Sequence, residues 1–121
     1  MAAMPDNPKQ DNDPMCLLRL REALMVASLP AEKLIASFSP KLNVPYEIAD
    51  DLGHWIEWAH INAMDVVFTS EQLSTLQQLD ALLCSMSGEQ NEPLWTDEAL
   101  RRSPEWNEVR ALAKRSVGLL G

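Results

Sequence analysis

Residues 94–110 read LWTDEALRRSPEWNEVR. Trp95 and Trp106 flank two polar triplets, Thr96-Asp97-Glu98 and Ser103-Pro104-Glu105, and the stretch has the look of an active-site signature. Each triplet is better read as a helix start. A Thr or Ser oxygen accepts from the free amides of a first turn, the acids behind it suit the positive end of the helix dipole, and a proline there gives up an amide that has no partner anyway. The stretch predicts two consecutive helices, with Trp95, ahead of its cap, a core or staple residue.

The same grammar extends outward. The last helix carries Trp106, Val109, Ala113, Val117 and Leu120 at helical spacing, with Arg110, Lys114 and Arg115 placed late, where cations suit the dipole. Upstream, Phe68-Thr69-Ser70-Glu71-Gln72-Leu73 spells a capping box, Thr69 with Gln72, and a hydrophobic staple, Phe68 on Leu73. Leu73, Leu76, Leu79, Leu83 and Met86 form the apolar face of that helix, and Gly88 is placed to end it. Asp80 falls inside this face, where an unpaired carboxylate is costly, so a cation or cap from the C-terminal segment is expected to meet it.

A further helix is predicted from Pro45 to His60. Ile48, Ala49, Leu52, Trp55, Ile56 and Ala59 fall within an arc of about 120° on it, a core-facing stripe. Gly53 interrupts it at about 1 kcal/mol relative to Ala, which predicts a kink or a close helix contact. Asp13-Pro14 opens the first helix, which runs to Ala27 with Leu17, Leu20, Leu24 and Ala27 on one stripe, and Leu29-Pro30 stops it. PAEKLIASF is a shorter helix closed by Ser39-Pro40. The only β-branched run, Val66-Val67-Phe68, is short and abuts a cap. The fold class is therefore all-α: a compact bundle of four main helices plus one or two short helices, with no sheet. Residues 1–12, MAAMPDNPKQDN, are expected to be a disordered tail ahead of a single helical domain over 13–121.

Composition supports this class. Of 121 residues 46% are hydrophobic and 23% charged, within the range of globular domains. ALMVASLPA (23–31) is too short to span a bilayer, and Arg19, Arg21 and Glu22 just before it break a signal-peptide pattern, so no membrane association and a cytoplasmic location are expected. Cys16 and Cys84 lie among leucines and read as small buried thiols. The net charge of −8 is unevenly spread. From Leu42 to Leu100 there are eleven acids and no Lys or Arg, whereas residues 101–121 are net positive. Phosphate recognition needs clustered bases, so direct nucleic-acid binding is disfavoured and a basic protein partner is the complementary expectation.

For chemistry, the strongest candidate is HWIEWAH, His54 to His60. Glu57 and His60 have the Glu-x-x-His spacing of carboxylate-bridged metal bundles, but a second pair is missing, and His54 and His60 are about 120° apart on a helix where zinc pairs need i and i+4. No nucleophile elbow or phosphate loop is present, and no cofactor is implied. Asp50-Asp51 reads as a solvated face. Trp58 projects into the acidic arc near Glu57 and His54, with Ile61 at i+3, and an aromatic ringed by carboxylates has the composition of a hot spot for a cationic surface; the bland reading is that another helix or the 62–68 segment covers it. The expected function is a non-enzymatic, acidic, protein-binding module. It would act through Glu47, Asp50, Asp51, His54, Glu57, Trp58 and Ile61, with help from 89–98. One form is an inhibitor or immunity-type protein covering a nuclease-like basic surface. The alternatives are a small metal protein or enzyme using His54, Glu57 and His60, and a structural subunit that forms a homodimer through an apolar face.

Overall fold

Thr69, Thr96 and Ser103 all cap helices in the computed structural model, which describes residues 14–63 and 68–120. The Thr69 hydroxyl accepts from the Gln72 amide at 3.0 Å while the Gln72 side chain accepts from the Thr69 amide at 2.7 Å, completing the capping box. Thr96 Oγ1 accepts from the Ala99 amide and Ser103 Oγ from the Trp106 amide, both at 3.1 Å. A fourth cap is Asn43, whose Oδ1 accepts from the Tyr46 amide at 3.0 Å, so that helix starts one residue before Pro45. The expected tail over 1–12, the Asp13 cap and the Val66-Val67 pair lie outside the described residues.

The resulting elements are α1 Pro14–Ala27, α2 Ala31–Ser37, α3 Val44–Ile61, α4 Ser70–Ser85, a 3₁₀ helix Glu89–Leu94, α5 Asp97–Arg102 and α6 Pro104–Leu120. The chain is all-α, with no strand among the described residues. The 3₁₀ helix exceeds the expected count of short pieces. Gly88, at φ 105°, turns the chain out of α4 in the left-handed region that favours glycine, and Pro93 inside the segment lacks the amide that an α ladder needs.

The four long helices close a ring. α1 packs on α3 and α6, and α4 packs on the same two, while α2 and α5 pack on each other and α5 also rests on α3 and α6. Leu20 and Leu24 of α1, Leu52 and Ile56 of α3, Leu76 and Leu79 of α4, and Val109 and Ala113 of α6 meet inside it, fully buried. Each large aliphatic side chain so placed contributes roughly 1.5–3 kcal/mol. Two expectations are corrected. Leu17 is exposed, because Cys16 takes its place on the stripe with Leu20, Ala23, Leu24 and Ala27. Cys84 is exposed, because Leu83 holds the core position and the next residue lies about 100° around the helix.

Residues 94–110 form a clamp at one end of this ring. The Trp106 indole N–H donates to the Leu94 carbonyl at 2.7 Å, and the Trp95 indole N–H donates to the Met86 carbonyl at 2.8 Å. Arg110 donates through Nη1 to the Leu100 carbonyl at 2.9 Å, filling an acceptor that the short α5 leaves open, and burial lowers its pKa from the ordinary arginine value. No helix among the described residues is long and apolar enough to cross a membrane.

Candidate functional site

The acidic run from 42 to 100 does not fold into one uniform surface. α3 lies between α1 and α4, so side chains 100° apart on it enter different clefts. On the α1 side, Asp51, His54 and Trp55 line a hollow with Arg19, Glu22, Ala23 and Val26, and Glu47 lines the neighbouring one with Phe38. His54 rests edge-on against Trp55, ring centroids 4.7 Å apart. Burial pushes the Asp51 carboxyl above the ordinary aspartate pKa, against the attraction of His54 and a side-chain hydrogen bond with Trp55.

The α4 side is different in kind. A groove with a volume of ≈ 550 Å³ is lined by Tyr46, Ala49, Asp50 and Gly53 of α3, by Asp80, Leu83 and Cys84 of α4, and by Ser87, Gly88, Glu89, Glu92 and Trp95 beyond it. A second hollow continues from it past Glu57, His60 and Gln77, sharing Gly53 and Asp80. Leu83 is buried, Ala49, Asp80 and Trp95 are half-buried, and Asp50, Glu89 and Glu92 are exposed. Leu83 thus sits deepest and Asp50, Glu89 and Glu92 shallowest, with Asp80 between them. Tyr46 is 61% exposed and meets Trp95 edge to face at 6.3 Å.

The far wall is held by hydrogen bonds. Asn43 Nδ2 donates to the Trp95 carbonyl at 3.0 Å, and Asn91 Nδ2 donates to the Ser85 and Ser87 carbonyls, each at 3.0 Å. Together with the indole of Trp95 on Met86, these tie the 3₁₀ segment to the start of α3 and the end of α4. The groove is a preformed feature rather than a gap beside a loose loop.

Among the described residues three acids, Glu32, Glu71 and Glu98, are ion-paired. Glu32 pairs with Arg101 at 2.7 Å, Glu98 with Arg102 at 2.6 Å and with Arg101 at 3.6 Å, and Glu71 with Arg115 at 3.4 Å. The basic residues of 101–121 therefore serve α2, α5 and the start of α4. Among the described residues no ion pair reaches Asp50, Glu57, Asp80, Glu89 or Glu92. Asp80 meets neither a cation nor a cap from the C-terminal segment, contrary to expectation, because it turns toward α3 and not α6.

The predicted site residues are distributed accordingly. Asp50 lines both the groove and the α1-side hollow of Glu47, Glu57 faces the extension of the groove, Glu47, Asp51 and His54 face α1, and Ile61 is exposed at the end of α3. Trp58 is corrected from surface anchor to core. It is 2% exposed, with Trp55 edge-on at 6.1 Å and Phe68, from the lead-in to α4, edge-on at 6.4 Å. The trio His54, Glu57 and His60 is not brought together. His54 enters the α1 hollow, while His60 enters the α4 hollow, its Nδ1 3.0 Å from the Ile56 carbonyl. No group of three or more His, Cys, Asp or Glu among the described residues is arranged to hold a metal.

Tyr46, Asp80 and Trp95 are the groove residues that pattern reading missed. Tyr46 carries no sequence signal. Asp80 did carry one, as a carboxylate inside a leucine face, and so did Gly53, as a glycine inside a helix. The chain matches no family model, no curated protein and no solved structure.

Proposed function

We propose that this protein is a non-enzymatic binding module that engages a basic protein surface through the carboxylate-rimmed groove between α3 and α4. The observation that carries the proposal is that Asp50, Asp80, Glu89 and Glu92 line one groove together and, among the described residues, meet no Lys or Arg, whereas Glu32, Glu71 and Glu98 elsewhere do. A field of one sign in a concave site raises the local concentration of opposite charge and steers its approach. Tyr46 supplies the exposed aromatic that Trp58 does not, and Tyr with Trp and Arg is the chemistry enriched at interface hot spots.

One specific form is an inhibitor or immunity-type protein whose carboxylates stand where a nuclease-like partner would hold phosphates. A cytoplasmic setting suits Cys16 and Cys84, which form no disulfide with each other. The test begins with the tagged chain retrieved from its native cell at low and at high salt, with the retained proteins identified. A basic partner released by salt is expected, since exposed charges are screened within roughly 8 Å at physiological ionic strength. Asp50→Lys with Glu89→Lys should then slow association with that partner by on the order of tenfold at low salt. A partner of neutral or acidic charge, or rates insensitive to both salt and charge reversal, rejects the proposal.

A further inference from the structure

The groove has a shape as well as a charge. Tyr46, near the start of α3, and Ser87, beyond the end of α4, line one end, while His60 and Gln77 line the other, so the two helices run antiparallel along its walls. From Tyr46 to His60 the α3 wall is roughly 21 Å long, the length of about fourteen residues of a third helix. Gly53 lies midway and lines both hollows. A Cβ built there meets nothing within 4 Å. Of the kink or close helix contact expected at Gly53, the close contact is not made among the described residues, and the glycine faces open space there.

From these observations we infer that the occupant of the groove is an amphipathic basic helix of the partner. Its apolar stripe lies over Gly53, Ala49 and Leu83, and its Lys and Arg side chains reach Asp50, Asp80 and the 3₁₀ acids. This rests on the basic-partner reading above and specifies what that partner inserts. Charge complementarity selects the occupant: among the described residues five unneutralised carboxylates and no Lys or Arg line the groove and its extension, while Leu83 is buried and Ala49 half-buried in its wall, so oligocation and apolar face must come on one element. A helix presenting apolar residues at i, i+3, i+4 and i+7 with bases on its flanks satisfies both demands, in the helix-in-groove mode. The missing Cβ at Gly53 lets its backbone side approach closely.

The experiment uses the full chain and a fluorescein-labelled fourteen-residue peptide of Leu and Lys in helical amphipathic order, followed by anisotropy. Comparison peptides are the same composition with two central prolines, the Leu/Glu analogue, and oligolysine of equal charge. The Leu/Lys helix is expected to bind, the Leu/Glu analogue not at all, and the proline and oligolysine peptides at least tenfold more weakly. Gly53→Phe places a ring in the groove without an internal clash at Cβ. It should weaken peptide binding at least tenfold while its helical circular dichroism and melting temperature stay at or above those of the parent. Gly53→Ala, which adds only a methyl group, serves as the second variant and should keep most of the binding. If Gly53→Phe melts normally and binds the peptide unchanged, or if oligolysine binds as well as the helix, the groove is not a helix seat and the inference is overturned. If the chain is a dimer by light scattering that Gly53→Phe converts to monomer, the occupant is a second copy, which also overturns it. The basic-partner reading is judged separately, on the native partner with Asp50→Lys and Glu89→Lys, so either can fail while the other stands.

Discussion

Trp95 and Trp106 meet edge to face, ring centroids 5.5 Å apart and planes at 88°, across the two helix starts that separate them in the chain. Both indole N–H groups donate to carbonyls that precede α5, Trp95 to Met86 and Trp106 to Leu94. The most conspicuous stretch of the sequence is thus a structural clamp, and Trp95 is also a wall of the α3–α4 groove. Folding at this end of the bundle and the shape of the groove are coupled through one side chain.

Trp106→Phe should therefore cost more than its lost area. It leaves the Leu94 carbonyl without its donor and weakens the contact with Trp95, together about 1–3 kcal/mol. Trp106→Ala should cost ~3–5 kcal/mol, as for other buried aromatics. Urea unfolding read by circular dichroism measures both, and a Phe variant as stable as the parent would contradict the clamp.

Tyr46 and Trp58 should separate cleanly. Tyr46→Ala removes an exposed ring, so stability should change by no more than about 0.5 kcal/mol while dissociation of the basic partner accelerates at least tenfold, as befits an anchor worth about 2 kcal/mol. Trp58→Ala should lose ~3–5 kcal/mol of stability and affect binding only through unfolding. The decisive comparison is Trp58→Phe, which retains most of the core contact and should bind normally.

Asp51 gives the pH dependence a sign. Burial raises its pKa above the ordinary 3.8, so between that value and the raised one the folded chain holds a proton that the unfolded chain has released. Stability contributed by this group is full below the ordinary value and is lost as pH rises through the raised one. Asp51→Asn should raise the melting temperature at pH 7 and leave it unchanged near pH 3, a gain of no more than roughly 0.5 kcal/mol after solvent screening. His54→Gln removes the charge that opposes the shift and should move the window upward. A variant equally stabilised at both pH values would point away from titration at Asp51.

Gly53→Ala should stabilise the chain by about 0.5–1 kcal/mol, because the added methyl group meets open space and the unfolded state loses freedom. Thermal melts of the two chains side by side decide it. Destabilisation would mean that the backbone at 53 needs a conformation that alanine resists.

Local order was readable from sequence because its causes are local. Thr69, Thr96 and Ser103 each satisfy an amide three residues away, and the pairing of Thr69 with Gln72 needs nothing beyond its own turn. Helical spacing likewise placed the buried Leu76, Leu79, Leu83 and Met86 of the α4 row and Trp106, Val109 and Ala113 of α6, while Leu73, Val117 and Leu120 of the same rows are half-buried. Asp80 and Gly53 stood out as local inconsistencies, a charge in an apolar face and a glycine in a helix, and both proved to line the groove. Such conflicts between pattern and fold collect at functional surfaces.

Tertiary structure alone decided what each face of α3 meets. Periodicity places Trp58 and Tyr46 by angle around the helix axis, yet it holds no information about which neighbour lies at that angle. Phe68 and Trp55 close over Trp58, while Tyr46, touched edge-on by Trp95, stays 61% exposed, so the exposed aromatic of α3 is Tyr46 and not Trp58. The sequence likewise established that residues 42–100 lack any Lys or Arg, but not that Arg101, Arg102 and Arg115 would neutralise Glu32, Glu98 and Glu71 and leave Asp50, Asp80, Glu89 and Glu92 lining one groove. A helix cap is satisfied within one turn of chain, whereas an ion pair or a covered ring needs partners dozens of residues away, and only packing brings those into contact.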